Sequence, residues 1–148
     1  MGIEIRGMVP LLSVFDMDRS LAFYRDILGF QVMRTSAHHE GDAFGWCLLR
    51  GGDVELMLNT AFDDDERPAT PDPSRDASHH DTILYFGCPD PDGAYEFLRT
   101  RGVDPQPPET AYWGARQVYV HDPDGYNLCF QWPADKVVKR DVASAPRS

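Results

Sequence analysis

Two stretches of this chain lie 74 residues apart and follow one pattern, and few folds accommodate that. The first is "MVPLLSVFDMDRSLAFYRDILGFQV", residues 8–32, and the second is "ILYFGCPDPDGAYEFLRTRGVDPQ", residues 83–106. Each opens on an apolar run, Val9 to Val14 and Ile83 to Cys88, long enough for a buried strand. Asp16 or Asp18 can cap a helix in the first copy, and Asp90 or Asp92 in the second. Gly29 and Gly102 are natural C-terminal stops. The first helix is longer by about one residue, yet the register returns: Gly51, Val54 and Leu56 fall 74 residues before Gly125, Leu128 and Phe130. Each copy therefore reads β-α-β-β-β, and two such units point to duplication around a shared core. The expected fold is α+β, two βαβββ modules cupping a cavity. The modules are expected over 1–61 and 80–135 of one structural domain. The acidic, proline-rich stretch 62–79 is expected as an exposed linker, and 136–148 as a flexible tail.

A chain of 148 residues can build such a core without disulfides. Its formal net charge of −10 opposes binding to nucleic acid phosphates and favours attraction of cations. Cys47, Cys88 and Cys129 are odd in number and widely spaced, which suggests reduced thiols in a cytoplasm. No secretory leader is evident at the N-terminus. No apolar run approaches the roughly 20 residues that span a bilayer.

The stretch "HDPDGYNLCFQW", His121 to Trp132, reads as a strand, a tight turn and a second strand. Tyr126, Leu128 and Phe130 share one side of its period-two pattern, which leaves Cys129 on the other. Nothing in the sequence supplies Cys129 with the cationic neighbour that a nucleophilic thiolate needs, so it reads as a small core hydrophobe. The histidines His38, His39, His79 and His80 come as adjacent pairs in polar segments. Neighbours on an extended chain point in opposite directions, so these read as solvated loop residues, and His121 as a surface residue beside its turn. Glu55 stands in the apolar strand "VELML", sharing a face with Asp53 and Met57. Two readings stay open: a solvated strand face, or a carboxylate in a cavity that must find a donor, a cationic ligand or a proton.

The segments "VFDMDRSLAFYRDILGF" at 14–30, "GGDVELML" at 51–58, "CPDPDGAYEFLRTRG" at 88–102 and "DPDGYNLCFQ" at 122–131 resemble the vicinal oxygen chelate superfamily. That superfamily holds glyoxalase I, extradiol dioxygenases, fosfomycin resistance enzymes and bleomycin resistance proteins. The resemblance implies a His on the first strand and a Glu on the fourth strand of each module as metal ligands. Here those positions carry Val9, Glu55, Ile83 and Cys129. One carboxylate cannot replace about three protein ligands, so no metal or other cofactor is expected. A divalent metal enters only under the alternative of a lyase, isomerase or dioxygenase using Glu55 as base or a displaced site. A sensing or biosynthetic accessory module is a third class. With Pro10 in the strand that lacks its His, and with "WGARQVYVHDPDGYN", the chain looks most like the metal-free, dimeric bleomycin resistance class.

That resemblance implies non-covalent binding of a small cationic or aromatic molecule, with resistance by sequestration, in a homodimer. No nucleic acid or membrane partner is expected. The candidate ligand-binding residues are Glu55, Trp46, Tyr85, Trp113, Cys129, Phe44 and Met57, with Tyr119 as a further aromatic wall. Catalytic residues are not assigned.

Overall fold

The computed structural model describes residues 1–138, which divide into two units meeting between Pro71 and Asp72. In the first unit, strand β1 (Leu11–Val14) leads into helix α1 (Met17–Leu21), followed by β2 (Gln31–Thr35), β3 (Trp46–Gly51) and β4 (Val54–Thr60). The sheet order is β1-β4-β3-β2, with β1 parallel to β4 and the other pairs antiparallel. In the second unit, helix α2 (Pro73–Ser78) precedes β5 (Ile83–Gly87), helix α3 (Pro91–Thr100), β6 (Glu109–Thr110), β7 (Ala115–His121) and β8 (Asn127–Pro133). Its sheet repeats the plan as β5-β8-β7-β6. The α+β fold of two βαβββ modules expected from the repeat is what the structure shows.

The aspartates named as caps sit at the helix starts. The Asp16 carboxylate accepts from the backbone N–H of Asp18 at 3.0 Å, and Asp90 from that of Gly93 at 3.0 Å. Gly29 and Gly102 end the helices at φ of +86° and +79°, values that strain any residue with a Cβ. The extra residue of the first helix has a definite location. After Leu21 the helix continues as a π segment, Ala22–Ile27, in which the Leu28 N–H reaches back five residues to the Phe23 carbonyl at 2.9 Å. A π turn accommodates one residue more than an α turn, so both helices still reach their glycine in phase. Leu12, Val14, Leu56, Leu58, Cys47 and Leu49 form the first unit's buried sheet face. Leu128, Val118 and Val120 do the same in the second.

Within 62–79, read from sequence as linker, the structure has α2, with Asp72 as its N-cap. This helix and the residues after it fold onto the β7–β8 turn. His79 stacks on Tyr126 with ring centroids 4.0 Å apart, and its Nδ1 lies 2.7 Å from the Asp124 carbonyl. The Arg75 guanidinium donates at 2.9 Å to the carboxylate of Asp124, which is fully buried. The His80 and His121 rings stack at 4.1 Å. His79 therefore differs from the solvated loop residue expected, because Tyr126 offers its ring an apolar face. The other end of the tail, residues 139–148, lies outside the described residues.

Candidate functional site

Directly opposed residues in a sheet share a face, so strand register places each candidate side chain. In the first unit, Trp46 opposes Asn59, Leu48 opposes Met57 and Arg50 opposes Glu55. Trp46, Met57 and Glu55 thus lie together on the face opposite the buried leucines, all half-buried. Glu55 has found its donor on the neighbouring strand: the Arg50 guanidinium reaches its carboxylate at 3.1 Å. The two side chains are 51% and 33% exposed, so this is a solvent-screened cross-strand pair contributing about 0–1 kcal/mol. Phe44 is not with them. It precedes β3 and lines a separate cleft of about 500 Å³ beside Asp16, Met17 and Asp42.

In the second unit, Tyr85, Cys129 and Tyr119 form one row across β5, β8 and β7. Cys129 is fully buried, and the hydroxyls of Tyr85 and Tyr119 lie 3.4 Å apart. Burial raises the Cys129 thiol's pKa despite its hydrogen bond with Tyr119, so the residue stays a neutral thiol and not a nucleophile. The Tyr119 hydroxyl is also pushed up, first by its hydrogen bond with Tyr85 and then by burial, which keeps it a proton donor. The next row along the same face pairs Gln117 with Gln131, whose side-chain amides meet at 2.9 Å. Gln117 is 6% exposed.

Beyond that row lies an open cleft of about 390 Å³, lined by Trp113, Trp132, Gln131, Gly87, Ala115 and Pro133. Gly87 has a packing reason to be glycine, because a Cβ there would sit 3.3 Å from the Trp132 ring. Of the sequence candidates, the second unit therefore gathers Tyr85 with Cys129, and places Trp113 in the cleft next along the sheet. Trp132, Gln117 and Gln131 were not among the candidates. Period-two counting puts Trp132 on the side of Leu128 and Phe130, away from Cys129, and at the strand end its ring nevertheless reaches this cleft.

The metal-ligand positions implied by resemblance carry few donors in either unit. The first unit offers Val9 and a Glu55 already held by Arg50. In the second, the register differs by two residues from that of the first. Leu11 opposes Met57, which brings Val9 beside Glu55, whereas Ile83 opposes Asn127, and Cys129 lies beside Tyr85. The first unit thus supplies one carboxylate, Glu55, and the second supplies neither an imidazole nor a carboxylate at the implied positions Ile83 and Cys129. Among the described residues, no three His, Cys, Asp or Glu side chains come together as a metal-holding group. The donor set does not fit a divalent cation at the superfamily's usual place.

A family model described as the glyoxalase/bleomycin resistance protein/dioxygenase superfamily matches residues 8–130. Among solved structures, the chain is similar to a bleomycin-binding protein complexed with bleomycin, at 23% identity and a TM-score of 0.62, over 86% of this chain and 98% of the other. It is similar to a glyoxalase/bleomycin resistance protein/dioxygenase from Nocardioides, at 25% identity and a TM-score of 0.64, over 88% and 85%. It is also similar to TioX from Micromonospora sp. ML1, at 18% identity and a TM-score of 0.66, over 86% and 99%. Among curated protein sequences, none matches this chain.

Proposed function

Because the chain belongs to the glyoxalase/bleomycin resistance protein/dioxygenase superfamily, we propose that it binds a small aromatic molecule without covalent chemistry and without a resident metal. The superfamily's fold alone does not choose between binder and enzyme. The observation that carries the reading is the cleft between Trp113 and Trp132, with Gln131 as its polar wall. Such a site has the usual composition of a ligand pocket: apolar and aromatic walls with a few placed polar groups. The bleomycin-binding protein of similar fold supports sequestration, including of an antibiotic, as the use of such a site. Weighing against the enzyme alternative, its proposed base Glu55 is paired with Arg50 on a solvent-exposed sheet face, and among the described residues no further titratable group is bonded to it to complete an acid–base pair. Homodimeric assembly in a cytoplasm completes the proposal. Cys47 and Cys129, buried as thiols, suit a reducing compartment.

The test is titration of purified protein with metal-free bleomycin and with flat aromatic tricycles, followed by tryptophan fluorescence and calorimetry. Binding should quench the tryptophans, and Trp113→Ala should weaken it about tenfold, the scale of one lost aromatic stacking contact. Equal affinity in Trp113→Ala would place the site elsewhere. Elemental analysis of the same preparation should find well under one equivalent of Ni, Zn, Fe or Mn; a stoichiometric metal would favour the enzyme.

A further inference from the structure

The open face of the second sheet is built almost wholly from uncharged polar groups. Its rows are Ile83–Asn127–His121, Tyr85–Cys129–Tyr119 and Gly87–Gln131–Gln117. The strands β5, β8 and β7 place no Asp, Glu, Lys or Arg there. The carboxylate that shares the face, Glu109, is exposed on the outermost strand β6, opposite Gln117. Strands lie about 4.8 Å apart, so Glu109 ends the Gln131–Gln117 row at its outer side, one strand from Gln117 and two strands, roughly 10 Å, from Gln131. This neutrality is unexpected in a chain with a net charge of −10.

The neutral groups are also unsaturated. The two tyrosine hydroxyls meet at 3.4 Å, beyond the usual O–H···O range, and Tyr85 is 52% exposed. A ligand oxygen can accept a hydrogen bond from this pair in place of the long contact. The Gln117 amide donates to the Gln131 carbonyl, which leaves the Gln131 NH₂ free of that bond, on a residue that lines the tryptophan cleft. In the row on the other side of the tyrosines, the side-chain oxygen of Asn127 is buried and has no hydrogen-bond partner. That oxygen is closed to solvent, so the acceptor of this face open to a ligand N–H is the second lone pair of the Gln131 side-chain carbonyl. Successive rows are about 6.8 Å apart along the strands, the length of two fused aromatic rings.

We propose that the ligand is a neutral, planar, fused-ring aromatic carrying both a carbonyl or hydroxyl oxygen and an N–H, and not a cation. This rests on the binding reading above. The rings would enter the Trp113–Trp132 cleft, the oxygen would accept from Tyr85 and Tyr119 or from the Gln131 amide, and the N–H would face an acceptor of the same ladder. A cation would find no counter-charge on these three strands, and its desolvation would go uncompensated.

Acridone and 9-aminoacridine are tricycles of one shape. The first is neutral with one C=O and one N–H, and the second is a cation at pH 7. Calorimetric titration of the full chain should show acridone binding at least tenfold more tightly. The double variant Tyr85→Phe/Tyr119→Phe keeps both rings and removes both hydroxyls. It should weaken acridone about tenfold while leaving 9-aminoacridine within twofold, the scale of neutral hydrogen bonds lost from a site. Gln131→Leu should weaken acridone in the same sense, which guards against misfolding of the double variant. Tighter binding of 9-aminoacridine would overturn the neutral class and keep the binding function. An acridone affinity unchanged by both variants would also overturn it. Binding of neither tricycle, with no tryptophan quenching, would overturn both this inference and the aromatic-binding reading.

Discussion

Asp124 has no exposed side-chain surface, and Arg75 reaches it across 49 positions of sequence at 2.9 Å. Removing one partner of a buried pair typically costs about 3–5 kcal/mol. Arg75→Ala should therefore lower the unfolding free energy by about 3 kcal/mol in urea titrations, and Arg75→Lys by less; a loss under 1 kcal/mol would show that the pair is replaceable. Cys47 is buried beside the Met17 sulfur, and burial pushes its thiol pKa from 9.0 up to about 11. The unfolded thiol then ionises before the folded one. The folded state's advantage is whole below pH 9 and is lost as the pH rises through 11, by up to about 2 kcal/mol. Cys47→Ala should flatten that alkaline decline relative to the parent, although Tyr119 and Cys129 add to it in both proteins. Residue identities told little of this in advance. "DPDG" announces a turn, but nothing local announces that its second aspartate is buried against an arginine from a segment that reads as linker. In the same way Glu55 posed a question, and its answer, Arg50, depends on a cross-strand register.

At the scale of elements, much more was legible. Helix starts and stops are written in short-range chemistry, an aspartate side chain bonding a nearby N–H and a glycine at positive φ, and both copies obey it. Asp90→Ala should cost α3 about 1 kcal/mol of stability, measurable by chemical denaturation, the usual value of an N-cap. An unchanged midpoint would mean that Pro91 and packing hold the helix start without it. What a single offset cannot carry is the pairing between strands. The hairpin joining β3 to β4 closes on Gly52 and Asp53, whereas five residues, Asp122 to Tyr126, separate β7 from β8. Together with the two-residue shift of β5 against β8, this moves side chains along the sheet without exchanging its faces. Face assignments from period-two counting therefore survive, while neighbours along a row do not. That is why Tyr85 and Cys129 proved to be partners, whereas Ile83 took Asn127.

For the whole molecule, the fold class follows from duplication, but assembly does not. Each sheet leaves two edge strands, β1 and β2 in one and β5 and β6 in the other. The first ten residues form no strand or helix, and Ile3, Ile5 and Met8 are 79% to 88% exposed. Unpaired edges and exposed apolar side chains favour association, so light scattering at micromolar concentration should report a homodimer; a monomer would leave these surfaces unexplained. The clasp of residues 72–81 on the β7–β8 turn bears on how the gene can be divided. A fragment begun at residue 80, where the repeat itself starts, would lack both Arg75 and the ring of His79 while keeping Asp124 and Tyr126. A fragment begun at Asp72 retains them, along with the helix cap. Expressed alone, the longer piece should be recovered folded and the shorter one as aggregate, as dispersion of their amide spectra would show. The autonomous unit of this half would then be longer than the unit that was copied.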